Sequence, residues 1–461
     1  MSLYKVTQFY LVFNIFLLFL YNDIIKLDIH QKVSDYIVME SISVSHRIHI
    51  AFFGRCNSGK SSLINALTGQ EVAIVSDIAG TTTDLVQKAI ELPGVGASIL
   101  IDTPGLDDNS VLGSKRTSQT LKAINKTDIA VVLFNNDDTS VEEALINQLK
   151  ACEIPVVGVV SKCDKSQNLS LLSTKVVGIL NAHPIALSAS TGEGINQLLS
   201  QLATFTQQEQ RLITEGLCES GDTVVLVMPQ DAQAPKGRLI KPQVEVLREL
   251  LDRGCNAFCC TPESLKSALN NLAAPPQLII TDSQAFASVN AVVEEYRNRL
   301  TSSITPQSLR DSFPKVNCTP KGGGGKQPLL TSFSILFARY KGDIDLFVEG
   351  AKKLSKLTTS SRVLIAEACS HIPQNEDIGR VKLPRLLRNR IGEELHIDIA
   401  GGNDFPTDLS QYDLVIHCGA CMFNRHHVMS RVAQVKAQNV AITNYGIALA
   451  TLTGIINEVA Y

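Results

Sequence analysis

The chain has 461 residues, 44% of them hydrophobic and 19% charged, with a formal net charge of −3. That length allows several domains with their own cores, and the composition is that of a globular protein. The near-neutral balance supplies no basic face, so nucleic acid is not an expected partner, and eleven scattered cysteines in so long a chain read as reduced thiols rather than a disulfide framework.

The first element is an apolar run, Phe9 to Tyr21, interrupted by Asn14. A spanning helix takes about 20 apolar residues, so this run is too short and no membrane association is expected. Only Lys5 precedes it and no small-residue cleavage pattern follows, which argues against a secretory leader. Residues 1–46 therefore read as an N-terminal extension with Met39 as the working start, and the expected location is the cytoplasm.

Residues 47–210 alternate apolar runs ("IHIAFF", "SILID", "IAVVLF", "PVVGVV", "PIAL") with amphipathic stretches, the pattern of a mostly parallel sheet covered by helices. Between the first run and the helix "SSLINALT" lies Gly54 to Ser61, "GRCNSGKS", which matches G-x-x-x-x-G-K-[ST]. Backbone N–H groups of such a loop (Gly54, Asn57, Ser58, Gly59, Ser62) cradle phosphate at a helix N-terminus. Lys60 then reaches the β- and γ-phosphates, and the Ser61 hydroxyl ligates Mg²⁺. "DTPG" ends the next strand, bringing Asp102 near Mg²⁺ and the Gly105 N–H near the γ-phosphate. "GTTTD" offers Thr82 to the metal. "SKCD" supplies Lys162 and Asp164, whose carboxylate can accept from the N1–H and N2 amine of guanine. Ser188 and Ala189 of "SAS" end the following strand.

Five motifs in this order resemble the translation-factor-like GTPases, above all the tRNA-modification branch with its "GTTxD" switch, and imply GTP or GDP as ligand. Ser161 stands where that base-reading motif has asparagine; its shorter side chain is expected to lose a tether to the phosphate loop and weaken nucleotide affinity. Leu106 follows "DTPG" where Ras-like enzymes place a water-orienting glutamine. In the tRNA-modification branch a K⁺ ion helps instead, held partly by a loop asparagine that Asn57 matches. Slow, K⁺-stimulated hydrolysis is the expectation.

A shorter α/β unit follows over 218–301: "TVVLVMP", "NAFCC" and "QLIITD", with helices near 238–253, 262–272 and 284–300. Three parallel strands leave open edges, so docking on a neighbour or pairing into a homodimer is expected. Residues 302–329, with "TPKGGGGKQP", read as a linker or insertion. The last segment, 330–461, is α/β again, with strands "RVLIAEA", "ELHIDIA", "DLVIH" and "VAITN".

Sulfur gathers at the ends of two of these last strands, as Cys369 and His371 in "EACSH" and as His417, Cys418 and Cys421 in "HCGAC". If the strands are parallel neighbours, their carboxyl ends lie side by side, where α/β sheets bind ligands. Three thiolates with one open position suit an iron–sulfur cluster, while structural zinc suits the spacing equally well. A redox dithiol would ordinarily open a helix in a thioredoxin-like unit, which is not evident. Cys152, Cys163, Cys218, Cys255, Cys259, Cys260 and Cys318 read as incidental thiols, with Cys259 and Cys260 in a buried strand. Cys56 reads as loop filler, and the basic stretch Arg385 to Arg390 as a solvated helix face.

A GTPase joined to a middle α/β unit and a C-x-H…H-C-x2-C domain resembles the GTP-binding maturation factors of iron–iron hydrogenase, the HydF family. The likeness runs from about Arg47 to Tyr461 through "HIAFFGRCNSGKSSLINALTGQ", "DTPGLDD", "LTSFSILFARYKGD" and "CMFNRHHVMSR". The fold expected is a P-loop GTPase domain followed by two further α/β units with mostly parallel sheets. The resemblance implies a homodimeric scaffold carrying a 4Fe–4S cluster on Cys369, Cys418 and Cys421, with His371 and His417 at the family's histidine positions. It implies a diiron precursor as cargo, two radical S-adenosylmethionine maturases and apo-hydrogenase as partners, and a hydrogenosome-like organelle if the host is eukaryotic. The alternative is a GTPase of tRNA modification or ribosome assembly with a zinc-stabilised C-terminal domain.

Overall fold

The computed structural model describes residues 47–69, 85–106, 113–165, 169–206, 211–230, 239–304, 327–368, 377–402, 404–420 and 422–461. The extension before Arg47, most of the 302–329 segment and the "GTTTD" stretch with Thr82 lie outside them, as do Cys369, His371 and Cys421. The chain divides into two compact units, Met1–Glu209 and Gln210–Tyr461.

The first unit is a six-stranded sheet in the order β2-β3-β1-β4-β5-β6. Its strands are β1 (Ile48–Gly54), β2 (Val86–Leu92), β3 (Gly96–Asp102), β4 (Ile129–Phe134), β5 (Val156–Ser161) and β6 (Ile185–Leu187). All neighbours are parallel except β2, which runs antiparallel to β3. The period-2 alternation of a strand sends successive side chains to opposite faces. Ile50 and Phe52 enter one core with α1 (Lys60–Thr68) and α5 (Ile195–Thr206). Ala51 and Phe53 enter the other, with α2 (Gly113–Ile124), α3 (Ser140–Ala151) and α4 (Leu169–Leu180). Strand β2 has no continuous apolar run, because an edge strand need bury only part of its surface. The apolar-run reading therefore misses it.

The second unit holds two four-stranded, all-parallel sheets, β10-β9-β7-β8 and β12-β11-β13-β14. The first comprises β7 (Thr223–Val227), β8 (Asn256–Cys260), β9 (Leu278–Thr281) and β10 (Leu329–Ser332). The second comprises β11 (Arg362–Ala366), β12 (His396–Ala400), β13 (Leu414–His417) and β14 (Ala441–Asn444). Strand β10 corrects the sequence reading: it belongs to the middle sheet, closing one open edge, although it opens the last segment. Its final residue, Ser332, caps α9 (Phe333–Lys341) by accepting from the Ile335 N–H.

The two sheets share one core rather than standing as separate domains. Val225, Val227 and Ile279 of one sheet and Val363, Ile365, Leu414 and Ile416 of the other lie in a single apolar cluster. Helix α13 (Tyr445–Leu452) adds to that cluster; it is apolar around its circumference and buried from Tyr445 to Ala450. Outside this layer, α6 (Lys241–Asp252) and α9 cover the middle sheet. Helices α10 (Ile344–Ala351) and α12 (Arg425–Ala437) cover the last one. The other edge strand of the middle sheet, β8, is not buried as the sequence suggests. Phe258 is 39% exposed and Cys259 is exposed beside it. No disulfide joins the described cysteines.

Packing of α10 on β14 depends on one glycine. A Cβ at Gly350 would sit 1.9 Å from the Ile442 carbonyl oxygen, whereas a Cβ at Gly178, in α4, would meet nothing within 4 Å. Gly350→Ala is expected to cost the second unit about 3 kcal/mol through backbone overpacking. Gly178→Ala should gain about 0.5–1 kcal/mol through helix propensity. Urea unfolding of both variants checks the contrast; equal midpoints would contradict the α10–β14 contact.

Candidate functional site

Strand β1 ends at Gly54, where φ is +151° and a Cβ would stand 2.7 Å from Ser58 Oγ and 2.8 Å from the Leu133 carbonyl oxygen. The chain then turns through Asn57 (φ +58°) and Gly59 (φ +97°) into α1. Consecutive left-handed and right-handed residues at a helix N-terminus turn backbone N–H groups inward, the concavity that anions occupy. Lys60 bridges the loop, its ammonium donating to the carbonyls of Gly54 at 3.0 Å and Arg55 at 2.9 Å.

Parallel pairing of β1 with β3 sets Phe52 opposite Asp102, and the Ser61 hydroxyl donates to Asp102 Oδ2 at 2.6 Å. The other carboxylate oxygen, Oδ1, is buried and has no hydrogen-bond partner among the described residues. A half-buried, half-satisfied carboxylate against a hydroxyl is a donor set that suits a hard dication. The "DTPG" loop closes on the phosphate loop. The Leu106 N–H donates to the Gly54 carbonyl at 3.3 Å, and a Cβ at Gly105 would collide with Cys56 Sγ at 2.2 Å. That contact is why glycine is needed there, and it gives the filler residue Cys56 a packing role.

The base-reading residues hang from β5 and β6. The Ser161 hydroxyl, buried, donates to the Ser58 carbonyl at 2.7 Å. The tether that the sequence reading gives up is therefore present, because β5 lies close enough for the short side chain to reach. Lys162 donates to the Asn57 carbonyl at 2.6 Å across the top of the loop. Hydrogen bonding from Ser188 holds the exposed Asp164 carboxyl below its usual range, with Ser190 also contributing. Asp164 is thus kept ionised and aimed as an acceptor. Ser62 is exposed on α1, and Ala189 is half-buried between the two serines.

The sequence reading misses one charged network. Arg55, inside the phosphate loop, contacts Glu142 Oε1 at 3.1 Å and Asp138 Oδ2 at 2.9 Å. Glu142 is 1% exposed, and burial raises its carboxyl pKa despite the arginine. The acidic run after β4 was the available signal. Its partner lies 87 residues away, so only the fold reveals the pair.

The second site lies where β11 and β13 end. They are parallel neighbours, as the sequence anticipates, with Ala366 opposite His417. Cys418 follows at once, its N–H donating to the Ala366 carbonyl at 2.9 Å. Its Sγ accepts from the backbone N–H groups of Ala368 at 3.0 Å and Ala420 at 3.4 Å. Ala420 adopts φ +51° in the turn leading toward Cys421. The Lys341 ammonium, 1% exposed, donates to the Ala420 carbonyl at 3.0 Å. Among the described residues no group of three or more metal-ligating side chains is assembled.

His417 is fully engaged. Its Nδ1 meets the Cys418 carbonyl at 2.8 Å, and Nε2 lies 3.2 Å from Arg431 Nη1. Nδ1 must carry the proton and Nε2 the lone pair that faces the guanidinium. Burial, with the Arg431 charge second, pushes its pKa down to about 3, so the ring is neutral.

Ser161→Ala removes the donor to the phosphate loop and leaves the Ser58 carbonyl short of a partner. With a hydrogen bond contributing about 1 kcal/mol net, GTP and GDP affinity should fall about fivefold. Titration with a fluorescent nucleotide checks this; unchanged affinity would make the contact incidental.

Comparisons with known proteins agree with this division. Residues 49–162 match the family model "50S ribosome-binding GTPase". The tRNA modification GTPase MnmE of Legionella pneumophila (strain Corby) is 37% identical over 166 residues, covering 34% of each chain. That of Endomicrobium trichonymphae is 34% identical over 170 residues, covering 34% of this chain and 35% of its own. The chain thus spans about a third of the length of these relatives, within the GTPase domain. Solved structures include Aquifex aeolicus Era bound to GDP and AlF4−, at 20% identity and TM-score 0.30 over 46% of this chain and 92% of that one. The G domain of T. maritima FeoB aligns at 23% identity and TM-score 0.28 over 35% of this chain and 100% of that one. The first unit is a GTPase domain, a module that takes GTP or GDP with Mg²⁺. Residues 213–305 match the hydrogen maturase F dimerization domain, and residues 345–460 its tetramerization domain. The two matches support oligomer formation; the sequence reading named a homodimer and did not anticipate a tetramerization domain. Among the described residues no helix is long and apolar enough to cross a membrane. With a GTPase domain followed by both of these modules, the chain belongs to the hydrogen maturase F family.

Proposed function

We propose that this protein is a GTPase and iron–sulfur scaffold of iron–iron hydrogenase maturation. Residues 47–210 form the nucleotide switch, 218–301 the dimerisation unit and 330–461 the cluster-binding unit. In this reading it receives a diiron precursor made with two radical S-adenosylmethionine enzymes and delivers it to apo-hydrogenase.

The observation that carries the reading is the environment of Cys418. Its sulfur receives two backbone N–H groups, one from Ala368, the residue that immediately precedes Cys369. Amide donors aimed at sulfur stabilise thiolate and tune cluster potential. Cys369, Cys418 and Cys421 would hold a 4Fe–4S cluster, leaving one iron open to an exchangeable ligand. A bound cluster would supply a coordination site for the diiron cargo. His417 serves in this reading as a neutral spacer between Cys418 and Arg431, since its Nε2 lone pair faces the guanidinium. His371 remains the histidine proposed as an exchangeable ligand.

In the switch, loop N–H groups and Lys60 bind the phosphates, Ser61, Thr82 and Asp102 serve Mg²⁺, and Asp164 selects guanine. Leu106 offers no group to orient water, so turnover is slow. Asn57 is exposed at the phosphate loop and is proposed to help hold K⁺. The edge of β8, unpaired among the described residues and bearing the exposed Phe258 and Cys259, is proposed as the seam of the dimer.

Cys418→Ala should bleach the visible absorbance of anaerobically purified protein and stop activation of apo-hydrogenase, while GTP hydrolysis persists. Lys60→Ala should do the reverse, abolishing hydrolysis with iron content retained, because the two sites belong to separate units. Full iron in the Cys418 variant would overturn the scaffold reading. Hydrolysis in K⁺ should exceed that in Na⁺ at equal ionic strength; indistinguishable rates would remove the proposed role of Asn57.

A further inference from the structure

We propose that Arg431 is the positioning residue of the strand-end site: its guanidinium ties together the carboxyl ends of three strands and puts a fixed positive charge beside the strand end that leads into Cys418. This rests on the iron–sulfur reading above and goes beyond it in giving a role to a residue that is not among the candidate metal ligands.

Arg431 sits on α12, three-hundredths exposed by fraction of its surface (3%). Nη1 lies 3.4 Å from the Glu367 carbonyl, just past β11, and 3.2 Å from His417 Nε2 at the end of β13. Nη2 donates to the Gly402 carbonyl, just past β12. One planar fork therefore spans the ends of β12, β11 and β13, which are adjacent in the sheet. The rings of Phe405 and Phe423 pack against the guanidinium, with centroids 4.7 Å and 4.6 Å from Cζ. Lysine has neither the fork nor the flat faces to occupy this slot.

Every one of these partners is neutral. Among the described residues no carboxylate pairs with Arg431; that of Glu367 is taken by Arg380, at 2.9 Å. A buried guanidinium without an anion is costly, and a protein that only needed a strap between strands could use neutral donors. What the site has to offer instead is sulfur. Cys418 adjoins His417 directly after the end of β13. Lys341 brings a second buried ammonium to the turn after β13, at the Ala420 carbonyl. Thiolates carrying a polynuclear iron centre are the negative charge that such a guanidinium suits.

The test uses full-length protein, anaerobically reconstituted, with Arg431→Met, Arg431→Lys and the exposed control Arg248→Met. The readouts are iron retained against a chelator, the reduction midpoint by electron paramagnetic resonance, and GTP hydrolysis. Loss of an outer partner of a metal ligand ordinarily weakens metal binding roughly 10–100-fold, and Arg431→Met should lose iron to that extent. Its midpoint should move to more negative potential, because a positive charge stabilises the reduced cluster. Arg431→Lys should keep a midpoint near that of the wild type yet lose iron faster, since an ammonium cannot tie three strand ends. Hydrolysis should be unchanged in both. Wild-type retention and midpoint in Arg431→Met would overturn the proposal. If that variant does not fold, a midpoint in Arg431→Lys displaced well below wild type would overturn it instead. Wild-type protein that takes up no iron would overturn the scaffold reading itself, and this inference with it.

Discussion

Parallel pairing places the carboxyl ends of neighbouring strands along one edge of a sheet, and both chemical sites of this chain hang from such an edge. In the first unit, β1 ends in the phosphate loop while its neighbour β3 ends in Asp102, so Ser61 and Asp102 meet although 41 residues apart. In the second unit, β11 and β13 end side by side, so the N–H of Ala368 reaches the sulfur of Cys418 across 50 residues. Open α/β sheets bind ligands at that edge for this reason: the strand ends expose backbone groups and point outward from a rigid support.

Buried charge is the second constraint, and the two sites use it in related ways. Arg55 anchors the phosphate loop to the start of α3 through Glu142, whose carboxyl is so desolvated that its affinity for protons rises even beside the guanidinium. Such a pair adds little net stability, but removing either partner would strand the other in the core. Its contribution is to hold the loop carbonyl of Arg55 where Lys60 can use it. At the strand-end site Arg431 has only neutral partners among the described residues, and its guanidinium joins the ends of three strands.

Much of this was legible in the residues, for an identifiable reason. Phosphate and guanine recognition need fixed chemical groups at strand ends, so Gly54, Lys60, Ser61, Asp102 and Asp164 stand in local patterns. The strands of parallel sheets are buried on both faces and announce themselves as apolar runs. Features that are not local were harder to see. Strand β2 is a half-polar edge, and β10 sits beyond a long insertion, yet joins the sheet before it. The shared core of the two later sheets depends on α13, whose all-round apolar surface signals burial but does not name what buries it. Ser161 illustrates the limit most clearly. Side-chain length suggested a lost tether, and strand placement restored it. Arg55 with Glu142, and Arg431 with the three strand ends, are visible only once the fold has joined them.

The central claim is that the edge formed by β11 and β13 carries iron and sulfide held by thiolates, in a chain whose other unit is a GTPase. Metal and acid-labile sulfide analysis of the anaerobically purified, full-length wild-type protein tests this most directly. The account predicts iron and sulfide in equal amounts, with a paramagnetic signal appearing on reduction. Stoichiometric zinc with neither iron nor sulfide would contradict it.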